Sequence, residues 1–269
     1  MRDGERQRAG GDVAAAGSRR AARTRLSSWL ADAPGYPANA ADRRTISVLG
    51  LELPVRATVA ILTVSLLLLL DYHGRVNELV EAVLGPFGQS AAEAKRLQSV
   101  GRLVLLGVVP LLVVLLGFRD RPWRYGLRLG DWRAGAAIAA TGCALMTPVI
   151  LALARVPAFG AYYAPQGASA ADVVLTTALE VIPAEFFFRG FLLFALLRVM
   201  GPLAVVVATL PFAFIHLGKP EVETLSTLVG GAAYGWLDWR TGSVLYSGVA
   251  HTWILSGIVL ASAAAAGSG

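Results

Sequence analysis

Long apolar runs alternate with short polar segments from about residue 53 to the end of the chain. A transmembrane helix needs about 20 mainly apolar residues, and seven runs meet or approach that length. They lie at 53–71, 100–118, 134–154, 172–200, 202–217, 222–239 and 243–265. The pattern predicts an all-α, polytopic transmembrane helical bundle of about seven spans, with six to eight as the range.

The composition supports a membrane protein. Hydrophobic residues make up 55% of the chain and charged residues 16%, and the mean hydropathy is +0.59. An ordinary soluble domain has about 25% charged residues. The single cysteine, Cys143, excludes a disulfide framework and a cysteine-based metal site. We therefore expect a multi-pass protein of the cell membrane whose partners include the lipid bilayer and no nucleic acid.

The N-terminal segment, 1–45, has no apolar periodicity and is rich in arginine and alanine. We predict that it is a disordered cytoplasmic tail and that 46–269 form the membrane domain. Its basic stretch "SRRAARTR" is either a segment that lies on an anionic leaflet or a topology signal. The loop "RDRPWRYGLRLGDWR" carries five arginines, and short loops rich in Lys and Arg collect on the cytoplasmic side. Both features predict a cytoplasmic N-terminus.

Ionisable residues inside the apolar runs are the candidates for chemistry, since a charge at bilayer depth is costly and usually marks a functional site. Glu185 and Arg189 are four residues apart, so they share one face of a helix. His216 lies near one end of the fifth run, and His251 lies about two turns into the last. Each has a structural alternative: a buried ion pair, an interfacial histidine and a packing histidine.

Taken together, these four side chains could hydrolyse an amide bond. A carboxylate and an imidazole could activate a water molecule while the second imidazole donates a proton to the developing oxyanion. The same residues could instead bind a divalent metal such as zinc, through His216, His251 and Glu185, and the metal would polarise the water. The residues alone leave both routes open, so the expected cofactor is none or a divalent metal.

Three stretches in this order, "AEFFFRG", "FAFIH" and "GWLDWRTGSVLYSGVAH", resemble the CPBP intramembrane protease family, which includes the type II CAAX prenyl proteases and their bacterial Abi relatives. The family pattern is Glu-Glu-x-x-x-Arg, Phe-x-x-x-His and His-x-x-x-Asn. The resemblance implies a family core at about 125–260. It also implies an intramembrane endopeptidase that hydrolyses a peptide bond in a membrane-associated protein or peptide, with Glu185, Arg189, His216 and His251 at the catalytic site.

Two positions depart from the family pattern. Ala184 stands where the first glutamate is expected, and Leu255 stands where the asparagine is expected. Glu180 lies one helical turn before Ala184 and is a candidate to supply the missing carboxylate.

The resulting hypothesis assigns a role to each residue. Glu180 or Glu185 acts as base with His216, Arg189 keeps Glu185 ionised and oriented, and His251 serves the oxyanion. Ser247, one turn before His251, is a candidate for the lost amide donor.

The departures also support an alternative, a catalytically degenerate family member that binds a membrane peptide or acts as an immunity or scaffold protein. A transporter is a third interpretation, because buried charges also line proton paths. No segmental duplication or broken-helix pair in the sequence favours it. Replacing His216 by alanine should abolish proteolysis and could spare peptide binding.

Overall fold

The computed structural model describes residues 40–84, 90–166 and 169–267. Most of the predicted tail, 1–45, therefore lies outside the described residues. Its last residues, from Ala40, are described, and Asp42 among them is buried.

Helices form nearly all of the described structure, as the hydrophobic pattern predicts. In chain order they are α1 (Val55–Tyr72), α2 (Arg75–Leu84), α3 (Ala91–Arg102), α4 (Val109–Leu112), α5 (Trp132–Leu153), α6 (Pro157–Tyr163), α7 (Ala170–Glu185), α8 (Phe194–Met200), α9 (Leu203–Phe214), α10 (Glu221–Thr241) and α11 (Leu245–Gly267). Short 3₁₀ turns lie at Pro122–Tyr125 and Ala164–Gln166. The predicted all-α membrane fold class is confirmed.

Three π-helical stretches join helices into longer rods. Leu103–Val108 and Val113–Gly117 flank α4, so the rod that begins with α3 continues to Gly117. Phe186–Leu193 connects α7 to α8 directly after Glu185. Single π turns inside α-helices often occur at functional sites.

A small antiparallel hairpin precedes α1 and is the only sheet in the described ranges. It consists of β1 (Thr45–Val48) and β2 (Leu51–Pro54), with Val48 opposite Leu51. It was not foreseen, because its alternation of apolar and polar residues covers only four residues in each strand.

Four helical stretches are long and apolar enough to cross a membrane, judged by length and composition over the described residues. They are Val55–Tyr72, Ala92–Gly117, Trp132–Leu153 and Leu245–Gly267. Leu203–Phe214 is apolar but shorter. The chain is therefore membrane-embedded, while the count of seven spans and the cytoplasmic N-terminus stay predictions.

The π-helical stretch Phe186–Leu193 lies at the centre of the main hydrophobic core. All eight of its residues are buried, and it packs against α9, α8 and α7. Helix α11 packs against α7 and α5, and α9 packs against α10. These contacts bring together the end of α7, the π-helical stretch after it, the residues that follow α9 and the first half of α11, and these segments supply the candidate site.

Candidate active site

Glu185 and Arg189 form an ion pair inside the protein core. Arg189 Nη1 donates to Glu185 Oε1 at 3.1 Å and lies 3.1 Å from Oε2. The exposed fractions are 0% for Glu185 and 2% for Arg189. The predicted one-face arrangement is therefore present. Two atoms of the pair, Glu185 Oε2 and Arg189 Nη2, are buried without a hydrogen-bond partner among the described residues.

His251 contacts this ion pair from α11. Its Nδ1 lies 2.6 Å from Glu185 Oε1, and its side chain keeps 14% exposure. A carboxylate only accepts hydrogen bonds, so Nδ1 carries the proton in this contact. The Nε2 atom of His251 is then left for chemistry.

His216 lies just beyond the end of α9 and is buried. Its Nδ1 lies 2.8 Å from the Phe212 carbonyl oxygen, which only accepts, so Nδ1 is protonated here as well and Nε2 holds a lone pair. The two imidazole centroids are 6.4 Å apart with an interplanar angle of 22°. The two rings are therefore near neighbours, although one follows α9 and the other lies on α11.

Aromatic rings and one glycine frame these groups. The Arg189 guanidinium carbon lies 3.6 Å from the Phe212 ring centroid, and the Tyr234 ring centroid lies 5.8 Å from that of His251. A Cβ at Gly231 would meet Phe212 at 3.0 Å and Thr209 at 2.9 Å. Helix α10 can therefore approach the site because position 231 has no side chain.

Glu180, the second candidate carboxylate, lies in a different environment. Lys95 and Arg102 both donate to its carboxylate, and Arg102 also pairs with Asp71 at 3.0 Å. These four residues line a cavity of about 1260 Å³. None of Glu185, Arg189, His216 and His251 is among the described residues that line this cavity. The structure thus brings four of the five candidates together and holds Glu180 with two cations instead.

This cavity and the candidate chemistry therefore do not coincide. We rely on the imidazole geometry to locate the site, because hydrogen-bonded titratable groups determine reactivity and cavity size does not. Leu255, where the family pattern has asparagine, lines the cavity and offers no donor. Ala184 is partly buried against the hydrophobic core.

The sequence analysis missed another buried carboxyl group, that of Asp238 on α10. Ser247 Oγ donates to Asp238 Oδ2 at 2.8 Å and is 3.0 Å from the Val244 carbonyl oxygen. A hydroxyl has one proton, which these neighbours already use, so the predicted role of Ser247 as oxyanion donor gains no support. Asp238 could have been found from the sequence, because it is a carboxylate within an apolar run. The same criterion selected Glu185.

The site residues do not fit a preformed metal centre. Among the described residues, no group of three or more His, Cys, Asp and Glu side chains is arranged to hold an ion. Glu185 Oε1 contacts His251 Nδ1 and Arg189 Nη1, the outer-shell arrangement that orients an imidazole. Glu185 Oε2 lies 3.1 Å from the Arg189 guanidinium, whose positive charge opposes a cation there. Two imidazole nitrogens then remain, fewer than the three protein ligands of a catalytic zinc site. We derive no step through a metal.

One comparison with known proteins agrees with the family resemblance. A family model described as type II CAAX prenyl endopeptidase Rce1-like matches residues 165–255. This range contains Glu180, Glu185, Arg189, His216 and His251. No curated protein and no solved structure matches the chain.

Proposed function

The match over residues 165–255 supports membership of the CAAX protease family, and from that premise we propose that this protein is an intramembrane endopeptidase. It hydrolyses a peptide bond of a membrane-associated protein or peptide with an activated water molecule. The observation that carries this proposal is the buried set of one carboxylate, one guanidinium and two imidazoles. Each imidazole has its Nδ1 hydrogen-bonded, so its Nε2 is left for the substrate.

The charges favour different roles for the two histidines. His216 faces a neutral carbonyl through Nδ1, so its Nε2 lone pair takes a proton from the attacking water. His251 lies against the Glu185 carboxylate, which neutralises the positive charge of its protonated form. Protonated His251 then donates Nε2–H to the oxyanion. Arg189 holds Glu185 ionised and in place.

The proposed reaction balances without a cofactor. The water oxygen bonds to the carbonyl carbon, and its proton passes to His216. When the tetrahedral intermediate collapses, the C–N bond breaks and the amine leaves with that proton. The products are a carboxylic acid and an amine, and the remaining water proton passes from the acid to the amine to give a carboxylate and an ammonium group. Both imidazoles return to their initial state.

The test begins with reconstituted protein in proteoliposomes mixed with solubilised membrane proteins of its host, followed by sequencing of new N-termini. The expected result is a set of new termini with the wild-type protein and none with His216→Ala. The control is His73→Ala, since His73 is an exposed histidine outside the site. New termini that persist in His216→Ala would overturn the proposal.

A second function, peptide binding without hydrolysis, is favoured by Ala184 and Leu255. That function predicts no new termini but a peptide that co-purifies equally with wild type and His216→Ala. A separate experiment tests zinc-dependent activation of the water: activity that is lost on incubation with a chelator and restored by zinc would support it. We expect chelation to leave the activity unchanged.

A further inference from the structure

The β1–β2 hairpin has one apolar face and one polar face. Ile46 pairs with Leu53 and Val48 with Leu51, and alternate residues of a strand point to the same side. These four side chains therefore share one face, and Ser47 and Glu52 lie on the other. Ile46, Val48 and Leu51 are exposed. A two-stranded hairpin with an uncovered apolar face is marginally stable in water.

The tip of the hairpin carries a residue that turn chemistry does not explain. Leu49 and Gly50 form the two-residue loop, with φ of +52° and +82°. Positive φ at both positions favours Asn, Asp or Gly at the first, and leucine is strained there. Leu49 is nevertheless 99% exposed. Its side chain therefore serves neither the turn nor the core.

The hairpin lies where a bilayer surface is expected. Pro54 directly precedes α1, and the Val55 N–H donates to the Arg44 carbonyl oxygen at 3.0 Å. Helix α1 has 18 residues, or about 27 Å at 1.5 Å per residue, against a hydrocarbon core of about 30 Å. Its two ends therefore lie near the two boundaries of the hydrocarbon core.

A second interfacial feature lies at the same end of the molecule. Trp123 is exposed, and the Arg121 guanidinium carbon lies 5.1 Å from its ring centroid. Tryptophan and arginine are typical of the headgroup level. The neighbouring Arg124 pairs with Asp42 at 3.0 Å, so this loop and the base of the hairpin are linked.

We infer that the β1–β2 hairpin is an interfacial anchor for an anionic lipid surface. Leu49 and the apolar face enter the boundary between headgroups and acyl chains. Arg43 and Arg44, both exposed, bind the lipid phosphates. The lipid supplies the apolar environment that Leu49 lacks among the described residues, and this inference does not depend on proteolytic activity.

Depth-dependent quenching tests the anchor. In a Cys143→Ser background, which removes the single cysteine, Leu49→Cys is labelled with a nitrobenzoxadiazole fluorophore in phosphatidylcholine–phosphatidylglycerol vesicles. We expect quenching by shallow doxyl lipids and little by aqueous iodide. The matched control, Ser47→Cys on the polar face, should respond to iodide. Iodide quenching at position 49 equal to that at 47, or shielding from both quenchers by a second protein copy, would overturn the inference.

A second variant separates anchoring from folding. Leu49→Asn supplies a better turn residue, so the Tm in detergent should stay the same or rise. With the fluorophore at Val48→Cys, lipid quenching should fall about twofold or more, because the apolar tip is gone. Unchanged lipid quenching would contradict the role of Leu49. Equal quenching in vesicles without phosphatidylglycerol would contradict the preference for anionic lipid.

Discussion

Two buried clusters in this protein each pair arginine with a carboxylate, but they differ in how fully their hydrogen bonds are satisfied. The first, the aspartate–arginine cluster, consists of Asp42, Arg56, Asp120, Arg124 and Arg198. All four of its carboxylate oxygens accept hydrogen bonds, among them Arg56 to Asp42 at 2.6 Å and Arg124 to Asp120 at 2.8 Å. The second, the imidazole site, consists of Glu185, Arg189, His216 and His251. It leaves Glu185 Oε2 and Arg189 Nη2 without partners among the described residues.

The difference shows how to tell a structural cluster from a reactive one. In the aspartate–arginine cluster every carboxylate oxygen accepts a hydrogen bond, and these bonds join the segment before α1 to the 118–125 loop and α8. In the imidazole site each histidine has one nitrogen bound and one available, and the ion pair is incompletely satisfied. We propose that the unused hydrogen-bonding capacity of the imidazole site serves a substrate.

The largest expected effect is on activity, at the imidazole site. Glu185→Gln keeps the shape of the side chain but removes the charge that supports protonated His251. We expect kcat to fall about 10²–10⁴-fold with little change in KM, measured on a peptide identified from the new termini. Glu78→Gln, at an exposed glutamate outside the site, serves as the control. An unchanged kcat in Glu185→Gln would remove the carboxylate from the mechanism.

In the aspartate–arginine cluster we expect the opposite result, a loss of stability without a loss of activity. Asp42→Asn removes a buried negative charge that pairs with Arg56, Arg124 and Arg198. Breaking a buried ion pair by removing one partner costs about 3–5 kcal/mol, so the Tm in detergent should drop clearly. The protein that remains folded should keep its kcat. A kcat loss without a Tm change would mean that the two clusters are not functionally distinct.

The hydrophobic pattern was enough to predict the fold class and the approximate positions of the helices. Apolar length and polar breaks determine where a helix crosses a bilayer, and those features are local. The hairpin was missed because its strands are too short for the pattern to stand out. The π-helical stretch after Glu185 has no signal in apolar periodicity either.

The candidate site was predictable in part, for a physical reason. Glu185 and Arg189 lie on one turn of one helix, so their contact follows from spacing alone. The contact between Glu185 and His251 joins two helices and depends on packing, and the sequence analysis paired the carboxylate with His216 instead. Glu180 was placed near the site by helical spacing, but Lys95 and Arg102 come from a distant helix that spacing cannot foresee.

Replacement of Glu180 is expected to lower the stability by less than replacement of Asp42 does, and it tests whether Glu180 belongs to either cluster. Glu180→Gln removes the negative charge shared by Lys95 and Arg102, while Arg102 keeps Asp71. The expected cost is about 1–3 kcal/mol of stability, seen as a lower Tm, with kcat close to the wild-type value. If kcat instead falls as far as in Glu185→Gln, Glu180 belongs to the catalytic machinery as the base.

The smallest expected effect is the pH dependence of the aspartate–arginine cluster. Burial alone would raise the pKa of Asp120. Hydrogen bonds from the Arg121 N–H, Arg124 and Arg56, together with the charge of Arg56, outweigh burial and lower this pKa below its usual value of 3.8. A carboxyl whose pKa is lowered on folding contributes stability above the unfolded-state pKa, and this contribution is lost as the pH falls through the folded-state value.

Melting curves from pH 7 to pH 3 in detergent test this sign. The wild-type Tm should hold down to about pH 4 and then fall, with a contribution from Asp120 of at most about 1 kcal/mol because solvent screens the group. Asp120→Asn should start from a lower Tm at pH 7 and lose less between pH 4 and pH 3. Parallel curves for the two proteins would show that Asp120 does not titrate on unfolding, and the acid sensitivity would then lie with another carboxylate.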